Sequence, residues 1–294
     1  VVREREIPVI MIPGNHDSAE RLAFGARLFE DLVVAPSFGG SIEPVWVGQA
    51  AVWPVPYLEP ARVRSVLEEP EIRSHQDAMG RVVQDILAQP HDGPRVLVGH
   101  GWVSGASATE SERPLAIGGA ETIGEETFAD FQYIAMGHLH RPQAVGPRVH
   151  YAGSLLAYSA SEIEHDKSIT IAEVTRSGVS IRQDPLTPLR ALRRVEGMLD
   201  QVLSEPSSED YVIVTLLDEG PVRDAMQRVR RVFPNALHVE RPAIQVQGSF
   251  APPCAATRAL DPASLFARFF SETTGSELSS QELELLSRLT SEAS

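Results

Sequence analysis

The sequence predicts a mixed α/β (α+β) protein: a two-sheet sandwich flanked by helices, then a small α/β unit and a terminal helix pair. Three observations predict it. Short apolar runs, Ile7–Ile12, Arg95–Val98 and Phe131–Met136, end in glycine and polar residues, as buried strands do. Segments of helical periodicity alternate with them, the mixture expected of sheets covered by helices. Clusters of proline, serine and asparagine then punctuate a second set of strands and helices beyond Pro185.

Taken in order, Ile7–Ile12 is a strand broken by Pro13-Gly14 into a tight turn, and Ala19–Leu32 reads as a helix with Ser18 as N-cap. Strands follow at Val45–Val47 and Ala51–Val55, and helices at Pro60–Leu67 and His75–Ala88. The strand Arg95–His100 leads into a polar loop over Gly101–Thr127 and then the strand Phe131–Met136. Val149–Tyr151, Ile169–Val174 and Val179–Ile181 read as strands that close the sheet.

A second unit is expected over 185–247, leaving 1–184 as the first. It holds an amphipathic helix Arg190–Leu203, a strand Tyr211–Leu217, a helix Val222–Val232 and a strand Ala236–Val239. Residues 248–260, with Pro252-Pro253, read as a linker. In the tail 261–294, Asp261-Pro262 starts one helix and Gly275 ends it, and Ser279 with Glu282 forms a capping box for another. Leu265, Phe266, Phe269 and Phe270 give the first tail helix an apolar side, as Leu283, Leu285, Leu286 and Leu289 do the second.

Composition narrows the function. At 294 residues, 43% hydrophobic and 22% charged, the chain can bury a sizeable core. No apolar run approaches the ~20 residues that span a bilayer, so no membrane role is expected. The single cysteine, Cys254, cannot form an internal disulfide, and the expected setting is cytoplasmic. The net charge of −14 counts against a nucleic-acid enzyme, which usually carries a basic footprint. Distribution softens that objection, because arginines cluster at Arg190, Arg193 and Arg194 and again at Arg228, Arg230 and Arg231.

The chemistry concentrates at strand ends. Gly14-Asn15-His16-Asp17 places an amide, an imidazole and a carboxylate after the first strand. Gly99-His100 ends another, and Gly137-His138-Leu139-His140 follows a third. Ligands bind at the carboxyl ends of strands in open α/β sheets. His138 and His140, two residues apart, project to one side of an extended segment. Nitrogen and oxygen donors at three such ends suggest a metal site at a sheet edge. His75, His91, His150 and His238 are expected to be exposed or structural, and His165 has no assigned role.

These motifs resemble the calcineurin-like metallophosphoesterases and, more narrowly, the SbcD family of nuclease subunits. The narrower likeness rests on Gly14–Ser18 leading into Arg21–Gly25, on Gly137–Gln143, on Tyr151–Ser154, on Ala157-Tyr158-Ser159 and on Lys167-Ser168. The resemblance implies metal-dependent phosphodiester hydrolysis, as a 3'-5' exonuclease and endonuclease on double-strand ends and hairpins. It implies two divalent ions, Mn2+ first, with Mg2+ or Fe as alternatives. Asn15, His100 and His138 would hold one ion and His140 the other. His16 would assist the leaving group, and Asp17 would orient His16 or the turn. Arg228, Arg230, Arg231 and Ser154 are candidate DNA contacts, and the unit over 185–247 would be a cap beside the active site.

The same resemblance implies an SbcC-like ATPase bound through 261–294, within a heterotetramer built on a homodimer. Two further ligand motifs, an Asp-x-His and a Gly-Asp, belong ahead of Gly14 and do not occur there. The expectation is that this chain comes from a longer parent and by itself is inactive or nearly so. The competing readings are a general phosphoesterase acting on phosphoproteins or small phosphodiesters, and a non-catalytic subunit that binds the ATPase.

Overall fold

The structure, a computed structural model, describes residues 7–29, 31–112, 122–218, 220, 222–241, 262–274 and 277–292. The chain divides into two units, Val1–Arg193 and Arg194–Ser294.

In the first unit, β1 (Val9–Met11) is held short by Pro8 and Pro13, which lack ladder N–H donors. It pairs in parallel with β2 (Leu32–Val34). Between them, α1 covers only Ala19–Leu22, N-capped by Ser18, whose hydroxyl accepts from Arg21 N at 3.3 Å. The helix expected over Ala19–Leu32 is therefore too long. Gly25 takes a left-handed φ of 77°, a single 3-10 turn covers Ala26–Leu28, and the chain extends into β2.

The central sheet comes from β3 (Val45–Val47), β4 (Ala50–Pro54), β5 (Arg95–His100), β8 (Tyr133–Gly137), β9 (Gln143–Val145) and β10 (Val149–Tyr151). The remaining elements in this stretch are α2 (Pro60–Leu67), α3 (His75–Leu87), β6 (Trp102–Val103) and β7 (Thr122–Ile123). The sheet's strand order is β3-β4-β5-β8-β10-β9, with β4, β5, β8 and β10 mutually parallel and antiparallel strands at both edges. Within the expected loop over Gly101–Thr127, β6 and β7 pair in parallel.

Alternation along each strand separates two faces. Trp53, Leu97 and Ile134 face the helical side, where they pack with Val63 of α2 and Met79, Val82 and Ile86 of α3. Their neighbours Val52, Val96 and Tyr133 face the other side. Burial of this kind is what holds the layers together: truncating one such Leu or Ile to Ala costs about 2–5 kcal/mol.

The second face is covered by Ile10 of β1 and by β11 (Ser168–Thr175) and β12 (Gly178–Pro185), through Ala172, Val174, Val179 and Ile181. Ile169–Val174 and Val179–Ile181 were expected to close the main sheet, and here the expectation fails. They form a separate antiparallel hairpin in continuous register from Ser168↔Pro185 to Thr175↔Gly178. Its Ala172, Val174, Val179 and Ile181 face the sheet while Ile169 and Ile171 on the other side are exposed, so it lies over the sheet as a second layer. That layer completes the two-sheet sandwich.

The second unit has β13 (Leu192–Gly197), α4 (Leu199–Ser204), β14 (Tyr211–Leu216), α5 (Ala225–Val229) and β15 (Ala236–Glu240). Its sheet order is β13-β14-β15, around Val195, Val202, Val212, Val214, Val229 and Phe233. The helix expected over Arg190–Leu203 is a correction: its first half is β13, where Val195 and Gly197 are buried in alternation, and helix begins only at Leu199. The Met198 and Leu199 amides are capped by Gln201 and Asp218 at 2.9 and 2.8 Å. The helix expected over Val222–Val232 shrinks to α5.

Beyond 261, α6 (Pro262–Thr274) and α7 (Ser280–Glu292) form as the capping signals require. Ser279 N donates to Glu282 Oε2 at 2.8 Å, and Glu282 N donates back to Ser279 Oγ. The expected linker 248–260, Cys254, Asp261 and Gly275 lie outside the described residues. No helix among the described residues is long and apolar enough to cross a membrane.

Candidate active site

Because β5, β8 and β10 run parallel and in register, with His100 opposite Gly137 and Met136 opposite Tyr151, their carboxyl ends share one edge. A cavity of about 330 Å³ opens there, lined by Asn15, His16, Asp17, His100, His138, His140 and Ser154, with Ser111 and Glu112. Every residue expected at the site from the first unit therefore meets at one place. Arg228, Arg230 and Arg231 belong to the second unit.

One wall is the turn after β1. Gly14 N donates to Asp17 Oδ2 at 2.7 Å and Asp17 N donates to Gly14 O at 3.2 Å, so Asp17 locks the turn. Gly14 is needed because a Cβ there would meet His100 Cε1 at 2.6 Å. Asn15 and His100 meet, His100 Nε2 donating to Asn15 Oδ1 at 2.8 Å. The His100 ring stands edge-on to His138, with centroids 5.2 Å apart, and to Tyr57. Burial, reinforced by His138 and His16, pulls the His100 pKa down to about 4 against the pull of Asp17. His138 itself sits at a φ of 103°, a left-handed value that a non-glycine residue holds only under constraint.

The opposite wall is built around His140, and sequence reasoning missed its partners. The His140 ring donates from Nδ1 to Glu162 Oε1 at 2.8 Å. The His140 amide donates to Glu112, and its carbonyl accepts from Lys167 Nζ at 2.9 Å and from Ser154 N at 3.0 Å. Glu162 is fully buried and pairs with the buried Lys167 at 2.8 Å. It also accepts from Ser111 Oγ at 2.8 Å. Burial alone would push the Glu162 carboxyl up, but bonds from Lys167, His140 and Ser111 outweigh it and bring it to about 2. Gly153 completes this wall at a φ of 77°, where a Cβ would stand 2.7 Å from His140 O.

Ser154, a candidate DNA contact, gives its amide to His140 O. Its hydroxyl accepts from Lys167 at 2.7 Å and donates to Leu156 O at 2.8 Å. In the second unit, Arg230 reaches Ala236 O from Nε and Nη2 at 3.4 and 3.3 Å, while Arg228 stands 3.9 Å from Asp200. Outside the site, His75 bonds Tyr57 at 2.9 Å, His91 stands edge-on to Trp46 and Trp53, and His150 stacks on Tyr133.

Among the described residues, no three or more His, Cys, Asp or Glu side chains are grouped to hold a metal ion. Any cation on the His100 wall therefore needs the amide oxygen of Asn15 beside His100 and His138. The 2.8 Å between Asn15 Oδ1 and His100 Nε2 suits this, since adjacent ligands at ~2.1 Å from one ion lie about 3 Å apart. One ring nitrogen of His140 is held by a carboxylate and the other has no bond among the described residues, an arrangement that suits a histidine ligand.

A mixed sandwich with histidine-bearing loops at the carboxyl edge of its parallel strands is a calcineurin-like phosphoesterase fold. Comparison with known proteins narrows the class. The family model SbcD_C, described as the type 5 capsule protein repressor C-terminal domain, matches residues 188–274. The SbcD component of the SbcCD nuclease from Staphylococcus saprophyticus is 30% identical over 298 residues, covering 97% of this chain and 78% of that protein. The chain belongs to the SbcD family.

Proposed function

We propose that this chain is the D subunit of an SbcCD-type nuclease, a complex that hydrolyses phosphodiesters at DNA double-strand ends and hairpins as 3'-5' exonuclease and endonuclease, the chain by itself being inactive or nearly so. The observation that carries the reading is the convergence of Asn15, His16, His100, His138 and His140 on one cavity at the sheet's carboxyl edge. Asn15, His100 and His138 would hold one divalent ion, and His140 would contribute to a second, with Mn2+ the first choice for a mixed nitrogen and oxygen set. Such ions, when bound, activate water, neutralise phosphate and stabilise the leaving oxygen.

The chain's own residues have distinct tasks. Burial keeps the His100 imidazole neutral, the form that ligates. Asp17 holds the turn, which leaves the exposed His16 to carry a proton to the leaving oxygen. Arg228 and Arg231 in the second unit are the DNA contacts this reading favours, because Arg230 is engaged with its own backbone.

An SbcC-like ATPase is the partner proposed for 261–294. The name of the relative denotes a two-part complex, and Leu265, Phe266, Phe269, Leu283, Leu285 and Leu289 are exposed on α6 and α7.

The test pairs calorimetric titration of Mn2+ with cleavage of linear and hairpin DNA by a form of the chain that carries Asp-x-His and Gly-Asp motifs ahead of Gly14, together with an SbcC-like ATPase. Saturable Mn2+ binding that is lost in His100→Ala, and cleavage that falls ~100-fold in His16→Ala, are expected. Mn2+ binding that His100→Ala leaves unchanged would overturn the reading.

A further inference from the structure

We propose that Glu162, paired with Lys167, is a positioning residue that fixes the tautomer and direction of the His140 ring, leaving Nε2 as a bare lone pair facing the cavity. The part that concerns cations rests on the function proposed above. The part that concerns the ring does not.

His140 is held at three points: its amide by Glu112, its carbonyl by Lys167 and Ser154, and its ring by Glu162. Glu162 has no surface exposure and Lys167 is 8% exposed, so neither charge is there to solvate the surface. A buried ion pair is seldom worth more than a well-packed apolar pair. This one is therefore better explained by where its atoms point. Oε1 of Glu162 receives Nδ1–H of His140 and the Ser111 hydroxyl, while Oε2 receives Lys167 Nζ at 2.8 Å and the Tyr158 amide at 3.3 Å. Lys167 in turn bridges to the carbonyl of the residue whose ring Glu162 holds.

The closed circuit of Glu162, Lys167, the His140 backbone and the His140 ring leaves one rotamer and one protonated nitrogen. A carboxylate acceptor on one imidazole nitrogen sets the other as the lone pair and raises its basicity. Glu162 thus decides what His140 offers the cavity. The Glu162–Lys167 circuit lies within elements of the first unit and needs nothing from elsewhere in the chain.

The experiment is nitrogen-15 NMR of histidine-labelled protein at pH 8, with the His140 signals assigned by their loss in His140→Ala. In the wild type, the ring is expected as the Nδ1–H tautomer. A wild-type ring seen as Nε2–H, or averaged between the two forms, overturns the proposal without any variant. The double variant Glu162→Met, Lys167→Met replaces the ion pair by apolar side chains of similar length and leaves no orphaned charge. Its His140 ring is expected to shift toward Nε2–H, and an unshifted ring in the folded double variant overturns the proposal.

Mn2+ titration of the same samples separates the two readings. A 10–100-fold loss of affinity at one site, with a second site unaffected, supports the arrangement as a whole. A tautomer that responds in a chain that binds no Mn2+ upholds the positioning role and removes the cation reading.

Discussion

The two walls of the cavity are made on different principles. On the wall of Asn15, His100 and His138, a side-chain hydrogen bond joins His100 to the turn, the two imidazoles meet edge to face, and the backbone angle at His138 is unfavourable. On the wall of His140, each polar group of the histidine backbone and one ring nitrogen meet a buried or half-buried partner. The first wall rests on ring contacts and a turn, while the second is fixed by a network around a buried ion pair.

The sharpest way to break this contrast is to remove one member of the network. Glu162→Ala orphans a buried ammonium and should lower stability by about 3–5 kcal/mol in urea unfolding, whereas Asn15→Ala should cost less than ~1 kcal/mol. Equal losses would mean that the walls are not built differently.

Acid should separate them next. His100 is depressed to about 4 from an unfolded value of 6.5, so the unfolded chain takes the proton first. Its contribution is complete above pH 6.5 and disappears as the pH falls through 4, a loss on the order of 2 kcal/mol. Glu162, lowered to about 2 from 4.5, keeps its contribution until the pH falls below 4.5 and loses it on the way to 2. Melting curves with chelator present should therefore show the first acid step abolished in His100→Gln, and the later one unaffected.

Two glycines give the smaller test. Gly153→Ala combines a left-handed φ with a collision against backbone at His140, and a loss of about 1–3 kcal/mol is expected by thermal melting. Gly14→Ala meets only the His100 ring, which must leave Asn15 to make room, and should cost less than Gly153→Ala, about 1 kcal/mol. That variant should nevertheless weaken Mn2+ binding, because the ring that moves is the one facing Asn15.

The wall of Asn15, His100 and His138 was legible in the sequence because each of these groups follows an apolar run and a glycine, a local pattern that survives in one dimension. Of the wall around His140, the histidine was legible but its buried carboxylate partners were not. Glu162 and Lys167 sit in the hydrophilic stretch Ser161–Ser168, which reads as a solvated loop, and only folding shows that 22 residues separate partners 2.8 Å apart. Strand and helix identities in the main sheet followed from periodicity, and α3 adds a full capping box at Ser74 that the sequence reading did not use.

The failures share one cause. Leu192–Gly197 contains Arg193, Arg194 and Val195 in an order that fits a helix face or an alternating strand equally well, and pairing with β14 decides it. Likewise Ile169–Val174 announced a strand but not its neighbour, since register and partner are set by non-local packing.

His138 has a consequence of its own. At a φ of 103° the polymer would prefer the one residue without a side chain. Random substitution should then find His138→Gly more heat-resistant than both the parent and His138→Ala, by ~1 kcal/mol or more over alanine. Selection for thermal robustness alone would erase the imidazole, so a directed-evolution campaign on this protein needs a functional screen to keep it.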